Sequence, residues 1–194
     1  MLALLTRLRK QSKKILQPIA KGFVKAKITA NTVTILGLII SFIYLGIMLY
    51  MRNVILGIFL LALSAFMDAL DGEIARISNK AGIKGSFLDS SLDRIEDINY
   101  ISGLFALGYT PIILGLLIGV SLVIPYLRAK AESLGLKMEG RGIIERGERI
   151  IFLFVLLIIY LISFEISYYF LLIFLILSII TVIQRFMAIY FNLP

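Results

Sequence analysis

The chain has no cysteine, no histidine and no tryptophan. Without cysteine there is no disulfide and no thiolate nucleophile; without histidine there is no imidazole base, and the Cys/His ligand sets of zinc sites are excluded with them. Any chemistry must run on carboxylates, hydroxyls, amines and guanidinium groups, with a hard metal ion as the inorganic partner such oxygen donors favour. Charge is scarce as well. Only 16% of the 194 residues are Asp, Glu, Lys or Arg, while 60% are hydrophobic and the mean hydropathy is +0.98. Soluble domains carry about 25% charged residues, so a water-soluble fold is excluded and an integral membrane chain of one domain is expected. The start, "MLALLTRLRKQSKK", places its charges after a short apolar patch and has no apolar core followed by a small-residue cleavage site. It does not read as a removable signal peptide, which leaves the first membrane helix as the targeting signal.

Six stretches approach the roughly 20 apolar residues that cross a bilayer: 33–51, 54–77, 87–108, 111–133, 149–164 and 166–190. The expected fold class is therefore all-α, with six transmembrane helices (residues 29–194) preceded by a basic amphipathic juxtamembrane segment (residues 1–28). Of the 20 Lys and Arg, eight fall in residues 1–27, four in 76–94 and six in 128–149; Arg185 follows, and only Arg52 remains for the other face. By the positive-inside rule both termini and the 2–3 and 4–5 connections face the cytoplasm. The net charge of +8 then marks membrane topology, and no nucleic-acid partner is expected. Residues 3–27 read as a segment broken near Pro18, with Leu and Ile toward the acyl chains and Lys near anionic headgroups.

Between the second and third of these stretches lies "MDALDGEIARISNKAGIKGSFLDSSLDR", with five carboxylates. Asp68, Asp71, Gly72 and Ala75 follow one another at i, i+3, i+4 and i+7, and so share a helical face. Asp89 and Asp93, at i and i+4, share a face of the next helix. The short turn between the helices lets all four acids converge. Clustered carboxylates near a membrane repel one another and are costly to bury, and divalent cations remove both problems. Four acids suit a two-ion site for phosphate chemistry, with Mg²⁺ expected and Mn²⁺ possible. Gly72 leaves room for a ligand at the backbone, and Arg76 can fork onto phosphate oxygens. Ser86 reads as a helix N-cap, and Glu73 points away from the metal face toward solvent. The competing reading pairs these acids with Arg76, Lys80, Lys84 and Arg94 in an ordinary solvated loop.

These residues match D-x2-D-G-x2-A-R-x8-G-x3-D-x3-D at every fixed position: Asp68, Asp71, Gly72, Ala75, Arg76, Gly85, Asp89 and Asp93. That pattern resembles the signature of the CDP-alcohol phosphatidyltransferase family. The resemblance implies a CDP-linked lipid, CDP-diacylglycerol or CDP-archaeol, whose phosphorus is attacked by an acceptor hydroxyl with release of CMP. It also implies metal ligation by Asp68, Asp71 and Asp89, with Asp93 near a second ion and accepting the hydroxyl proton. Gly72 and Arg76 would lie along the CDP group. "TANTVT" at 29–34 is similar to the family's T-P-N-x-x-T entry to the first helix, with Ala30 in place of proline, which adds Asn31 and Thr34 near the nucleotide. The other reading of that stretch is a plain helix cap. The resemblance further implies a homodimer.

The acceptor must be read elsewhere. Arg128, Lys130, Arg146 and Arg149 share the expected cytoplasmic side, and Arg185 stands alone in the last apolar helix, where it either snorkels to the surface or faces a polar cavity. Glu145 and Arg149 also have the i, i+4 spacing of an intrahelical pair. "RAKAESLGL" and "GIIERGERIIF" with the late "QR" resemble the phosphatidylinositol phosphate and archaetidylinositol phosphate synthase branch. That implies inositol 1-phosphate as acceptor, with its phosphate held by Arg128 or Lys130, Arg146 and Arg185. Glycerol 3-phosphate is the alternative acceptor. A divalent-cation transporter is the alternative of another class, opposed by the near absence of polar residues along the first, fifth and sixth apolar stretches.

Overall fold

The computed structural model describes residues 16–78, 82–136 and 142–193. Among these every regular element is helical. Described residues 16–25 are helical (α1), followed by α2 (Ala30–Gly46), α3 (Val54–Ile77), α4 (Ile83–Gly103), α5 (Pro111–Ser133), α6 (Arg146–Ile162) and α7 (Phe164–Tyr190). A π-turn, Ile47–Met51, ends α2, with Arg52 in the left-handed conformation after it. A 3-10 turn, Leu104–Leu107, ends α4.

The helix bounds follow the predicted stretches closely, yet among the described residues only four segments are both long and apolar enough to cross a bilayer: Ala30–Met51, Val54–Ile77, Pro111–Ser133 and Phe164–Tyr190. α4 fails on charge, because Lys84, Asp89, Asp93, Arg94, Glu96 and Asp97 all lie within it. α6 fails on length, with 17 residues of which the first turn is Arg-Gly-Glu-Arg. The exposed faces of the apolar helices are Ile- and Phe-rich, as in Ile35, Ile39 and Phe42 of α2 and Ile173, Ile176, Ile180 and Ile183 of α7. Such continuous apolar exposure suits lipid, and the chain is a multi-pass membrane protein.

The chain divides into two compact units, Met1–Ile43 with Phe59–Glu96, and Tyr44–Ile58 with Asp97–Pro194. In the first, Leu16 and Ala20 of α1 pack on Val33 of α2 and on Leu70 and Ile74 of α3. The juxtamembrane segment therefore turns Leu16 toward protein, where the sequence reading turned its Leu and Ile toward acyl chains; Ile19 does stay exposed. Pro18 lies inside the helical residues 16–25, so the described part of the segment is not broken there as the sequence reading expected. Residues 1–15, with most of that segment's basic residues, lie outside the described ones. α2 and α3 are tied together where the Ser64 hydroxyl donates to the Gly37 carbonyl at 2.7 Å.

In the second unit α7 packs along both α5 and α6. Ala131 and Ile189 join the ends of α5 and α7, and Tyr109 donates to the Ser167 hydroxyl at 2.7 Å. Tyr44 meets Tyr100 edge-on and donates to its carbonyl at 3.0 Å.

Candidate active site

Within the first unit, α3 and α4 bring the four predicted acids into two overlapping triads. Asp68, Asp71 and Asp89 each offer an oxygen within 4.8 Å of the others, and so do Asp68, Asp93 and Glu96. Asp68 belongs to both. Glu96 is the member that sequence reasoning missed. It follows Asp93 by three residues, on the same helical face, and is 2% exposed.

The donor set fits a hard cation. All the ligand atoms are carboxylate oxygens, the preference of Mg²⁺, Mn²⁺ and Ca²⁺. Asp71 is 5% exposed, and its Oδ2 is buried without a hydrogen-bond partner. A buried, unsatisfied carboxylate oxygen is costly, and a metal ion would satisfy it. The Thr34 hydroxyl lies between that carboxylate and the Ala30 carbonyl, 3.0 Å from the latter.

Beside the acids is a cavity of about 170 Å³ lined by Asn31, Thr34, Asp71, Gly72, Gly85, Ser86 and Asp89, among others. A second, of about 650 Å³, shares Ala30, Asn31, Gly82 and Gly85 and continues along Val24, Lys27, Ile74 and Lys84. A Cβ built on Gly72 would come no closer than 3.8 Å to a neighbouring side chain, that of Arg76. Packing therefore does not demand glycine here; space in the cavity does. Asn31 and Thr34 both line it, and the role of cap falls to Thr29, whose hydroxyl accepts the Thr32 N–H at 3.3 Å.

Two expectations need correction. Ser86 is no N-cap: α4 starts at Ile83, and the Ser86 N–H already donates to Gly82 at 3.0 Å as an interior helical bond. Glu73 is not solvated. It is 3% exposed and pairs with Arg76 at 3.2 Å, because α3 turns this position toward packed protein. Arg76 also donates Nε to the Gly72 carbonyl at 3.0 Å, so its guanidinium is held beside the glycine while its side chain stays 53% exposed. Of the pairs the solvated-loop reading expected, Arg94 does lie 3.6 Å from Asp93, but both are on helix α4 rather than in a loop. Lys80 lies outside the described residues.

The predicted cations fall in the second unit. Arg185 is 2% exposed, which rules out snorkelling. It donates Nη1 to the Ile124 carbonyl at 2.9 Å and Nη2 to Glu145 at 3.3 Å. Gly142 makes this possible. At φ +119° it takes a backbone conformation that side chains disfavour, and a Cβ there would lie 2.7 Å from Thr181 and 3.3 Å from the Arg185 Nε. The Ile144 N–H donates to the Thr181 hydroxyl at 3.1 Å, which lays this segment on α7 and delivers Glu145 to Arg185. The Glu145–Arg149 pair drawn from i, i+4 spacing is thus not formed: Arg149 pairs with Asp97 instead. Arg146 lies 3.8 Å from the same Asp97. Arg128 bridges to Glu132 at 2.9 Å. Lys130 is exposed on α5, and no contact ties it to the other cations.

Residues 27–189 match the family model described as CDP-alcohol phosphatidyltransferase. The chain is 45% identical over 130 residues to the archaetidylinositol phosphate synthase of Aeropyrum pernix, covering 67% of each chain. It is 38% identical over 154 residues to that of Pyrococcus horikoshii, covering 78% of this chain and 81% of the other. Among solved structures it resembles the phosphatidylinositol phosphate synthase of Mycobacterium tuberculosis. The form with manganese and citrate gives a TM-score of 0.80 at 28% identity, over 90% of this chain and 88% of that one. The form with CDP-DAG bound gives 0.79 at 28%, over 91% and 94%. The acidic spacing read from the sequence, the triads it forms and a match over most of the chain agree: this protein belongs to the CDP-alcohol phosphatidyltransferase family.

Proposed function

We propose that this chain transfers a phosphatidyl-type group, on diacylglycerol or archaeol, from a CDP-linked lipid to inositol 1-phosphate, releasing CMP. The observation that carries the reading is the pair of overlapping carboxylate triads beside a cavity that Gly72 keeps open. The relatives' names supply the acceptor. In this reading Asp68, Asp71 and Asp89 hold one divalent ion and Asp93 adjoins a second, Mg²⁺ by preference with Mn²⁺ able to replace it. When bound, the ions neutralise the diphosphate and stabilise the CMP leaving group.

Asn31, Thr34, Gly72 and Arg76 bind and orient the CDP portion, with Arg76 pointed by its bonds to Glu73 and Gly72. The acceptor hydroxyl oxygen forms a bond to the phosphorus carrying the lipid. The bond from that phosphorus to the CMP oxygen breaks, and its electron pair leaves with CMP. Asp93 takes the hydroxyl proton. Arg128, Lys130, Arg146 and Arg185 supply the positive field for the acceptor's own phosphate.

The same reading takes α4 and α6 as the remaining two of six spans. Their polar ends project from the lipid at the cytoplasmic face, where the basic residues put the site and both termini. It also takes the working form as a homodimer. The test is CMP release by purified protein with CDP-lipid, Mg²⁺ and a panel of acceptors. Inositol 1-phosphate should be preferred. Preference for glycerol 3-phosphate would replace the acceptor and keep the chemistry, while metal uptake into proteoliposomes without CMP formation would overturn the enzyme.

A further inference from the structure

Asp97 has no part in the family signature, yet it is 3% exposed in a membrane protein. Its Oδ2 accepts Nη2 of Arg149, itself 3% exposed, and its Oδ1 lies 3.8 Å from Nε of Arg146, whose side chain keeps 17% exposure. One buried carboxylate thus serves two guanidinium groups from the first turn of α6. Arg149 is too deeply buried to meet a ligand. Arg146, three residues earlier on the helix, keeps an exposed edge.

Burying an ion pair is poorly rewarded as a way to gain stability, since well-packed apolar residues often do as well. A buried pair is better suited to holding a group in one orientation. Arg146 alone would be a long side chain with many rotamers at the start of a helix, and it would be repelled by Arg149. Asp97 offsets the repulsion and lies along the Nε side of the guanidinium as an ion-pair contact at 3.8 Å, without a hydrogen bond to Nε.

We propose that Asp97, clamped by Arg149, is a positioning residue that orients Arg146 toward the anionic group of the acceptor. This rests on the reading that the acceptor carries a phosphate. Removing one charge alone would leave the other buried and unpaired, so the main variant is Asp97→Asn with Arg149→Met, which removes both. Initial rates of CMP release, varying inositol 1-phosphate and CDP-lipid separately, give the readout.

The double variant should raise KM for inositol 1-phosphate by about 10- to 100-fold, the loss of a charge-assisted hydrogen bond. kcat and KM for CDP-lipid should stay within about twofold. Asp97→Glu with native Arg149 should recover most of the acceptor affinity. Arg149→Lys keeps the charge balance and loses the planar fork, so it should raise the same KM by a smaller factor; it decides the matter if the double variant does not fold. An unchanged acceptor KM in Arg149→Lys, or a parallel loss in kcat and both KM values in the double variant, overturns the proposal. A wild-type protein that uses free inositol as well as inositol 1-phosphate would instead overturn the reading on which it rests.

Discussion

The acidic cluster of the first unit and the basic cluster of the second handle charge in opposite ways. Asp68, Asp71, Asp89, Asp93 and Glu96 gather like charges, three oxygens at a time, within 4.8 Å of one another, and the buried Asp71 Oδ2 has no hydrogen-bond partner. The basic cluster alternates signs: Arg146, Asp97 and Arg149 form one run, and Arg185 with Glu145 another. Clustered like charges are costly until a counter-ion arrives. Alternating charges are stable as they stand. Under the proposed function, the first arrangement suits a site that a metal completes, and the second one that recognises an anion and holds its shape without it.

The largest expected break in this comparison is at Asp93. Asp93→Asn should lower kcat by roughly 100- to 10,000-fold, the range for loss of a general base, while binding of CDP-lipid measured by calorimetry persists. Unchanged turnover would remove its assigned role. Next is the metal linkage. Mg²⁺ at about 100 times its Kd should stabilise the protein by about 2.7 kcal/mol, seen as a rise in Tm, and Asp71→Asn should lose most of that rise. An equal rise in both proteins would place the ion elsewhere.

Arg185→Ala sharpens the other side of the comparison, with an expected increase in KM for inositol 1-phosphate of about 10- to 100-fold and little change for CDP-lipid. The smallest effect is at Glu145→Gln. The Glu145 side chain is 40% exposed, so the pair with Arg185 is partly screened and its loss should cost no more than about 1 kcal/mol in denaturation.

Much of this was legible before any coordinates. Apolar runs placed the helices to within a few residues, the spacing of Asp68, Asp71, Asp89 and Asp93 pointed to a metal site for phosphate chemistry, and the resemblance carried by those residues pointed to the family. Spacing along a helix determines which residues share a face; it does not say what that face meets. Glu73 therefore read as solvated when α3 buries it, and Glu96 passed unnoticed although it completes a triad. The same limit hid Asp97. An i, i+4 rule joined Glu145 to Arg149, whereas the bond from Ile144 N–H to Thr181 carries Glu145 to Arg185 and leaves Arg149 to a partner 52 residues away in sequence. Arg185 was conspicuous because a lone cation in an apolar helix needs a reason; Asp97, among other charges on α4, did not stand out.

The central claim is that a metal-dependent acidic site and a phosphate-selective basic site work in one reaction. It is tested most directly by CMP release from CDP-lipid with inositol 1-phosphate and with free inositol, each with Mg²⁺ and with a chelator. Release that requires both Mg²⁺ and the phosphorylated acceptor is the predicted result. Release that survives the chelator, or that free inositol supports equally, would contradict it.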